Sequence, residues 1–211
     1  MIIWEFIEKG GPIMWPLIIA AIAATYLIIY KSLHIVKLSK YYKKDDTIEE
    51  VRLLTRKKKY EDAKELLDHD GPCEKILSKG VDYIEEKFPE DAIKDRLEMI
   101  YEEEIHTLEK GLPIILILGE IMPMLGLLGT VSGMIQVFKA ITTYGTGDAQ
   151  ALAGGISEAL LTTEVGLVLA IPTMFCYTLL NSEIDSITKQ MRQAGSTIVT
   201  VSRVINKKVK K

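Results

Sequence analysis

Residues 11–30 carry no charged side chain, residues 111–138 carry only Glu120, and residues 151–182 carry only Glu158 and Glu164. A bilayer core ~30 Å thick takes about 20 residues of helix to cross. Inside it the backbone must satisfy its own hydrogen bonds, which leaves a helix as the structure for runs of this length. Average composition hides this: the chain is 48% hydrophobic and 26% charged, and the charge lies almost wholly between the runs. The chain therefore reads as an all-α protein with three transmembrane helices and a cytoplasmic helical domain.

That reading divides the chain into an interfacial helix (1–10), a first span (11–31), a helical loop domain (32–110), a second span (111–140), a short turn (141–150), a third span (151–181) and a basic C-terminal helix (182–211). The first nine residues put Ile2, Ile3, Phe6 and Ile7 on one face, with Trp4 suited to the headgroup layer. They lack the basic start of a cleaved signal, and the first span reads as a retained anchor.

Lys and Arg beside a span mark the cytoplasm. Lys31, Lys37, Lys40, Lys43 and Lys44 follow the first span, and Lys189, Arg192, Arg203, Lys207 and Lys208 follow the third. The loop and tail are expected inside, with the N-terminus outside. The basic tail would sit well near anionic headgroups, although its charge also serves to fix topology. No nucleic-acid partner is expected.

Cys73 falls in the loop and Cys176 in the third span, so no disulfide is expected. His34, His69 and His106 are scattered, without metal-ligand spacing. No nucleophile–base set or phosphate loop is present, and Gly154-Gly155 is not a P-loop. The chain reads as neither an enzyme nor a cofactor or metal carrier.

The loop is charged but carries apolar stripes at helical spacing, such as Tyr60, Ala63, Leu66 and Leu67. Gly71-Pro72 and Pro89 mark two further helix starts. The helix from Pro89 is expected to run on into the second span as one rod. Beyond the third span, Ile184, Ile187, Met191, Ala194, Ile198, Val201 and Ile205 repeat at heptad steps. That stripe suits packing on the chain's own loop domain or on a second copy, and the spacing fits both.

The remaining signal lies inside the spans. Gly119, Gly126 and Gly133 recur every seven residues, with Thr130 four after Gly126; Gly155, Ala159, Thr163, Gly166 and Ala170 form a second small stripe. Small stripes let helices approach closely. A Thr hydroxyl bonds back to its own helix at little cost, but a carboxylate in hydrocarbon costs a few kcal/mol or more. Glu158 lies about one turn inside the third span, and Thr162 one turn deeper on about the same face. Glu164 is deeper still and turned away, so it must be neutral, hydrogen-bonded to another helix, or facing a polar cavity. The hydroxyl- and carboxyl-bearing faces are expected to look together on one hydrated axis.

Gly126-Leu-Leu-Gly-Thr-Val-Ser-Gly133 with Phe138 resembles the second-span motif of the ExbB/TolQ/MotA proton-channel family. The run from Gly155 through Glu158, Thr162, Thr163 and Glu164 to Pro172 resembles its third-span motif, and Gly10-Gly-Pro-Ile-Met-Trp-Pro16 is similar to the start of the first span in the ExbB branch. Motility members have more spans, so the ExbB/TolQ branch fits better. The resemblance implies an inner-membrane homo-oligomer, a pentameric ring around the single spans of two ExbD/TolR-like partners, one of whose Asp side chains carries protons. It implies coupling of proton-motive force to work on a TonB-like protein. It marks Thr130, Thr163 and Glu158 as lining the ion pathway, joined here by Thr162, with Gly126, Gly133, Gly155 and Gly166 as packing positions and Glu164 as a further polar residue. Ser132 and Glu164 depart from the family pattern. A TolQ-like or motility role, or a structural scaffold that uses its small stripes only for packing, are the alternatives.

Overall fold

The computed structural model describes residues 10–41, 45–67, 71–145 and 149–209. The expected interfacial helix at the N-terminus lies outside the described residues, as does part of the turn before the third span. Among the described residues the regular structure is helical: α1 (Met14–Tyr41), α2 (Asp45–Arg56), α3 (Tyr60–Glu65), α4 (Pro72–Glu85), α5 (Glu90–Glu109), α6 (Leu112–Tyr144) and α7 (Ala149–Val209). The three apolar runs fall in α1, α6 and the first half of α7, and the stretches Met14–Leu38, Glu90–Thr143 and Leu152–Asn206 are long and apolar enough to cross a membrane.

The expected rod from Pro89 through the second span is interrupted. α5 stops at Glu109, Lys110 leaves helical geometry, and Gly111 takes a left-handed φ of 88°. A glycine there closes the preceding helix without a Cβ clash. Pro113 then falls in the first turn of α6, where its missing N–H costs nothing. Pro123 and Pro172, by contrast, lie inside continuous helices.

The chain forms two compact units. The first joins Met1–Ser32 with Gly111–Leu180. Its core is Met14, Leu17, Ala20 and Ala24 of α1 against Met122 of α6 and Ala170 of α7. Leu118, Leu125, Val165 and Leu169 pack around them. Most other large side chains point outward: only 22% of the apolar window of α1 and 28% of those of the other two stretches is buried. Such a surface suits lipid or further protein, not water.

The second unit joins Leu33–Lys110 with Asn181–Lys211. Here the heptad stripe of α7 finds its partner. Ile184, Ile187, Met191, Ala194, Ile198 and Val201 are buried, as are Ile76, Leu77 and Val81 of α4 and Ile93 and Leu97 of α5. Full burial of such side chains stabilises by about 2 kcal/mol each. A Cβ placed on Gly80 would lie 2.7 Å from two carbons of Ile198, so α4 and α7 touch closely at that glycine. The stripe therefore packs on the chain's own loop domain.

Polar contacts hold the rim of this unit. Lys64 bridges Asp82 at 3.0 Å and Glu85 at 2.7 Å, which raises its ammonium pKa. Arg203 meets Glu90 at 2.6 Å, and Arg192 donates to the Tyr101 hydroxyl at 2.9 Å. Arg96 lies 4.4 Å from the centre of the Phe88 ring, a cation–π contact at the α4–α5 turn. Buried Cys73 has its thiol pKa pushed up to about 12, first by desolvation and then by neighbouring Glu74.

Candidate functional site: the α6–α7 pair

The small residues of α6 and α7 form one antiparallel contact in the first unit. A Cβ on Gly133 would lie 2.8 Å from the Ala159 Cβ, one on Gly126 would lie 2.9 Å from the Thr163 Cα, and one on Gly166 would lie 2.7 Å from the Met122 carbonyl oxygen. Further along, a Cβ on Gly119 would come 3.0 Å from Met174. The contacts descend α6 from Gly133 to Gly119 as they climb α7 from Ala159 to Met174. The two backbones thus approach to distances only glycine and alanine allow, and dispersion and lipid entropy replace the hydrophobic effect as the driving force.

Two hydroxyls sit in this contact. Thr163 Oγ1 donates to the Gly126 carbonyl at 2.8 Å, a bond from one helix to the other. Thr162 is 1% exposed, fills the notch left by Gly129, and donates to the Ala159 carbonyl at 2.8 Å. Gly129 was not singled out from the sequence; its spacing of three from Gly126 was the available signal. Thr173, also buried, bonds back to Leu169 at 2.8 Å and likewise escaped notice. Thr130 is half-buried and donates to the Leu127 carbonyl at 2.7 Å within its own helix.

The position of α1 sorts these groups. Each residue of a helix turns about 100° from the one before. On both α6 and α7, partly buried residues packed on the core that α1 builds immediately precede a residue of the α6–α7 contact: Leu118 before Gly119, Leu125 before Gly126, Val165 before Gly166. Thr130 and Thr163 instead come four after a contact residue, Gly126 and Ala159 respectively. That is about 40° to the other side. Because the helices are antiparallel, the two offsets point the same way. Thr130 and Thr163 lie on one side of the α6–α7 pair, the side α1 leaves uncovered.

Glu158 precedes Ala159 and belongs to the α1 side. It is half-buried, and a Cβ on Gly11 would collide with its carboxyl group. Gly11 has a left-handed φ of 68°, and its peptide opens the turn into α1, with the Met14 N–H donating to the Gly11 carbonyl at 3.2 Å. A carboxylate beside the start of a helix is favoured by the helix dipole. The single inward face expected of Thr130, Thr162, Thr163 and Glu158 is therefore divided in one subunit. Two threonines share the open side, Thr162 is enclosed between the helices, and Glu158 stands against the start of α1. Glu164 is exposed on a third side of α7.

Residues 68–193 match the family model described as the MotA/TolQ/ExbB proton channel family. Biopolymer transport protein exbB1 of Vibrio cholerae is 32% identical over 170 residues, covering 79% of this chain and 74% of the relative. A putative biopolymer transport protein ExbB homolog of Methanothermobacter thermautotrophicus is 30% identical over 145 residues, 66% of this chain and 50% of that protein. The Tol-Pal system protein TolQ of Haemophilus influenzae is 36% identical over a shorter stretch of 84 residues, 40% of this chain and 37% of its own length.

Proposed function

The chain belongs to the MotA/TolQ/ExbB proton channel family, and from that premise we propose that it is the ring-forming channel subunit of an inner-membrane complex coupling proton-motive force to mechanical work. The observation that carries this reading is the common placement of Thr130 and Thr163 on the uncovered side of the α6–α7 pair. Copies arranged with that side inward surround an axis with a double belt of hydroxyls. Hydroxyls can pass hydrogen bonds along but take up no proton at working pH. The titrating group then comes from a partner at the axis, a single-span ExbD/TolR-like helix bearing an Asp, two copies within a pentamer.

In this reading Thr130 and Thr163 line the pathway. Thr162 fixes the spacing of α6 and α7 behind them. Glu158 ties α1 to α7 near the outer end and sets the mouth of the path. The loop domain and basic tail lie in the cytoplasm and the N-terminus in the periplasm, as the lysine distribution requires. The output is force on a TonB-like protein for outer-membrane transport, since the relative matched over most of its length carries an ExbB name. The TolQ relatives match over a shorter stretch and support envelope maintenance as the second reading.

The test is proton flux through the complex, purified with its partner and reconstituted into liposomes. Thr130→Val and Thr163→Val together should leave the assembly intact by native mass spectrometry and cut flux at least tenfold. Flux equal to wild type in an intact assembly would remove the threonines from the path.

A further inference from the structure

In the second unit α5 and the end of α7 run antiparallel and are clasped at two points. Arg192 donates to the Tyr101 hydroxyl at 2.9 Å and lies 5.5 Å from the centre of its ring, and Arg203 meets Glu90 at 2.6 Å. The same number of residues separates the two clasps on each helix, a span of about 16 Å. Between them lies a groove of about 400 Å³. Its floor is apolar, made by Ile76 of α4, Leu97 of α5 and Met191 of α7, each no more than 4% exposed. The volume is that of a small-molecule site, which takes about 300–1,000 Å³.

Three observations narrow the occupant. The first is the room over Ile76. Gly195 lines the groove, and the nearest atom to its missing Cβ is the Ile76 Cγ2 at 3.9 Å, so packing does not demand a glycine there as it does at Gly80. A glycine inside a helix costs up to about 1 kcal/mol against alanine; what this one leaves is space above an apolar floor. The second is the ends. Tyr101 and Arg192 close one, and the Glu90–Arg203 pair stands one turn beyond Lys94 and Val199 at the other. A slot closed at both ends takes a short chain, not a helix that must run through it. The third is charge. Arg192 has further N–H donors beyond the one given to Tyr101, and the Tyr101 hydroxyl, which accepts from Arg192, can still donate its own proton. Both stand at the same end of the groove, an arrangement that suits a carboxylate. Lys94 adds a second cation at the far end, where its apolar stem can cover a chain while its ammonium stays in water. Among the lining residues one carboxylate, Glu98, stands against these two cations. Ser196 and Thr200 donate to carbonyls of their own helix.

We propose that this groove binds a free, single-chain fatty carboxylate of medium length. The head meets Arg192 and Tyr101, and the chain lies over Met191, Leu97 and Ile76 towards Val199. From Arg192 to Val199 is about 10 Å along α7, a reach that decanoate matches. The chain covers apolar surface that otherwise faces water, and the head satisfies donors already held in place by the Tyr101–Arg192 clasp. The site lies wholly within the second unit, apart from the α6–α7 pair, and does not depend on the threonines lining a proton path.

Photo-crosslinking tests it on the full chain in lipid nanodiscs, with decanoate bearing a diazirine at its chain end as the probe and mass spectrometry locating the adduct. Adducts should fall within residues 94–101 and 191–200 and be competed away by unlabelled decanoate. The matching decanol probe, which keeps the chain and lacks the charge, should label these stretches at least tenfold less. Gly195→Leu fills the space over Ile76, and Arg192→Gln removes the cation at the head; each should lower labelling at least tenfold while the circular dichroism of the chain is unchanged. If Gly195→Leu fails to fold, Arg192→Gln and the decanol probe still decide. Adducts confined to the spans would mean partition into the bilayer and would overturn the proposal. So would equal labelling by acid and alcohol, or undiminished labelling of a folded Gly195→Leu variant. An adduct-free groove that cross-links to another chain when Ser196→Cys is oxidised would make that chain the occupant and overturn it as well. Proton flux enters none of these readouts, so failure here leaves the threonine path standing.

Discussion

The hydroxyl of Thr163 donates to the carbonyl of Gly126 across the α6–α7 contact at 2.8 Å, so one side chain both marks the open side of the helix pair and ties the pair together. Hydrogen bonds between membrane helices contribute about 0.6–2 kcal/mol. Thr163→Ser keeps the donor and should keep both stability and flux. Thr163→Val removes the donor at nearly constant shape, lowering the thermal midpoint of the detergent-solubilised protein by a few degrees while also reducing flux. A Val variant with unchanged midpoint would show that the bond contributes nothing to stability.

Gly126 is a second point of leverage. The atoms a Cβ would meet there are backbone, the Thr163 Cα at 2.9 Å and the Thr162 oxygen at 3.0 Å, and backbone cannot turn aside. Gly126→Ala gains up to about 1 kcal/mol of helix propensity but forces the helices apart, which costs about 1–3 kcal/mol. Overpacking should win, with lower thermal stability and a weakened Thr163 bond. Gly154, in the same kind of helix, has nothing within 4 Å of its missing Cβ. Gly154→Ala should therefore be neutral or slightly stabilising. Equal effects of the two substitutions would refute this account of the contact.

In the second unit, Gly80→Ala puts a methyl group 2.7 Å from two carbons of Ile198, a side chain with no exposure. The net loss should be about 0.5–2 kcal/mol after helix propensity is credited. Ile198→Val shortens the side chain it strikes. The double variant should therefore be more stable than the sum of the two single changes predicts, because neighbours in contact do not add. Strict additivity in thermal unfolding would mean that Gly80 and Ile198 do not press on one another.

Much of this was legible in the residues themselves. The three spans followed from the near-absence of charge in 11–30, 111–138 and 151–182, because the bilayer leaves a chain no other arrangement. The glycine spacing announced a close helix contact, and Gly126 and Gly133 indeed stand in it. What stayed hidden depends on where a third element lies. Glu158 and Thr163 are five residues apart, about 140° around a helix. Periodicity alone could not say that α1 covers one of them and leaves the other open. The heptads from Ile184 to Ile198 were equally silent on their partner until Ile76 and Gly80 appeared opposite that helix, at Gly195 and Ile198. The break at Gly111 had its signals, a glycine two residues before a proline, but neighbouring helical patterns outweighed them.

Cys73 gives a prediction in pH. Burial pushes its thiol pKa up to about 12 in the folded unit, from an ordinary value of 9.0. The folded value is raised, so the stability tied to the neutral thiol is fully present below about pH 9 and is lost as pH climbs towards 12. Below pH 9 the native protein should resist maleimide at Cys73, since the thiolate is the nucleophile and burial denies access. Denaturant should expose it to rapid labelling. Between pH 9 and 12 labelling of the native protein should rise as its thermal midpoint falls, and Cys73→Ala should flatten the share of that fall due to the thiol. Fast labelling of Cys73 at neutral pH, with the unit still folded by circular dichroism, would mean that the thiol is open to water and that α4 is not packed as described.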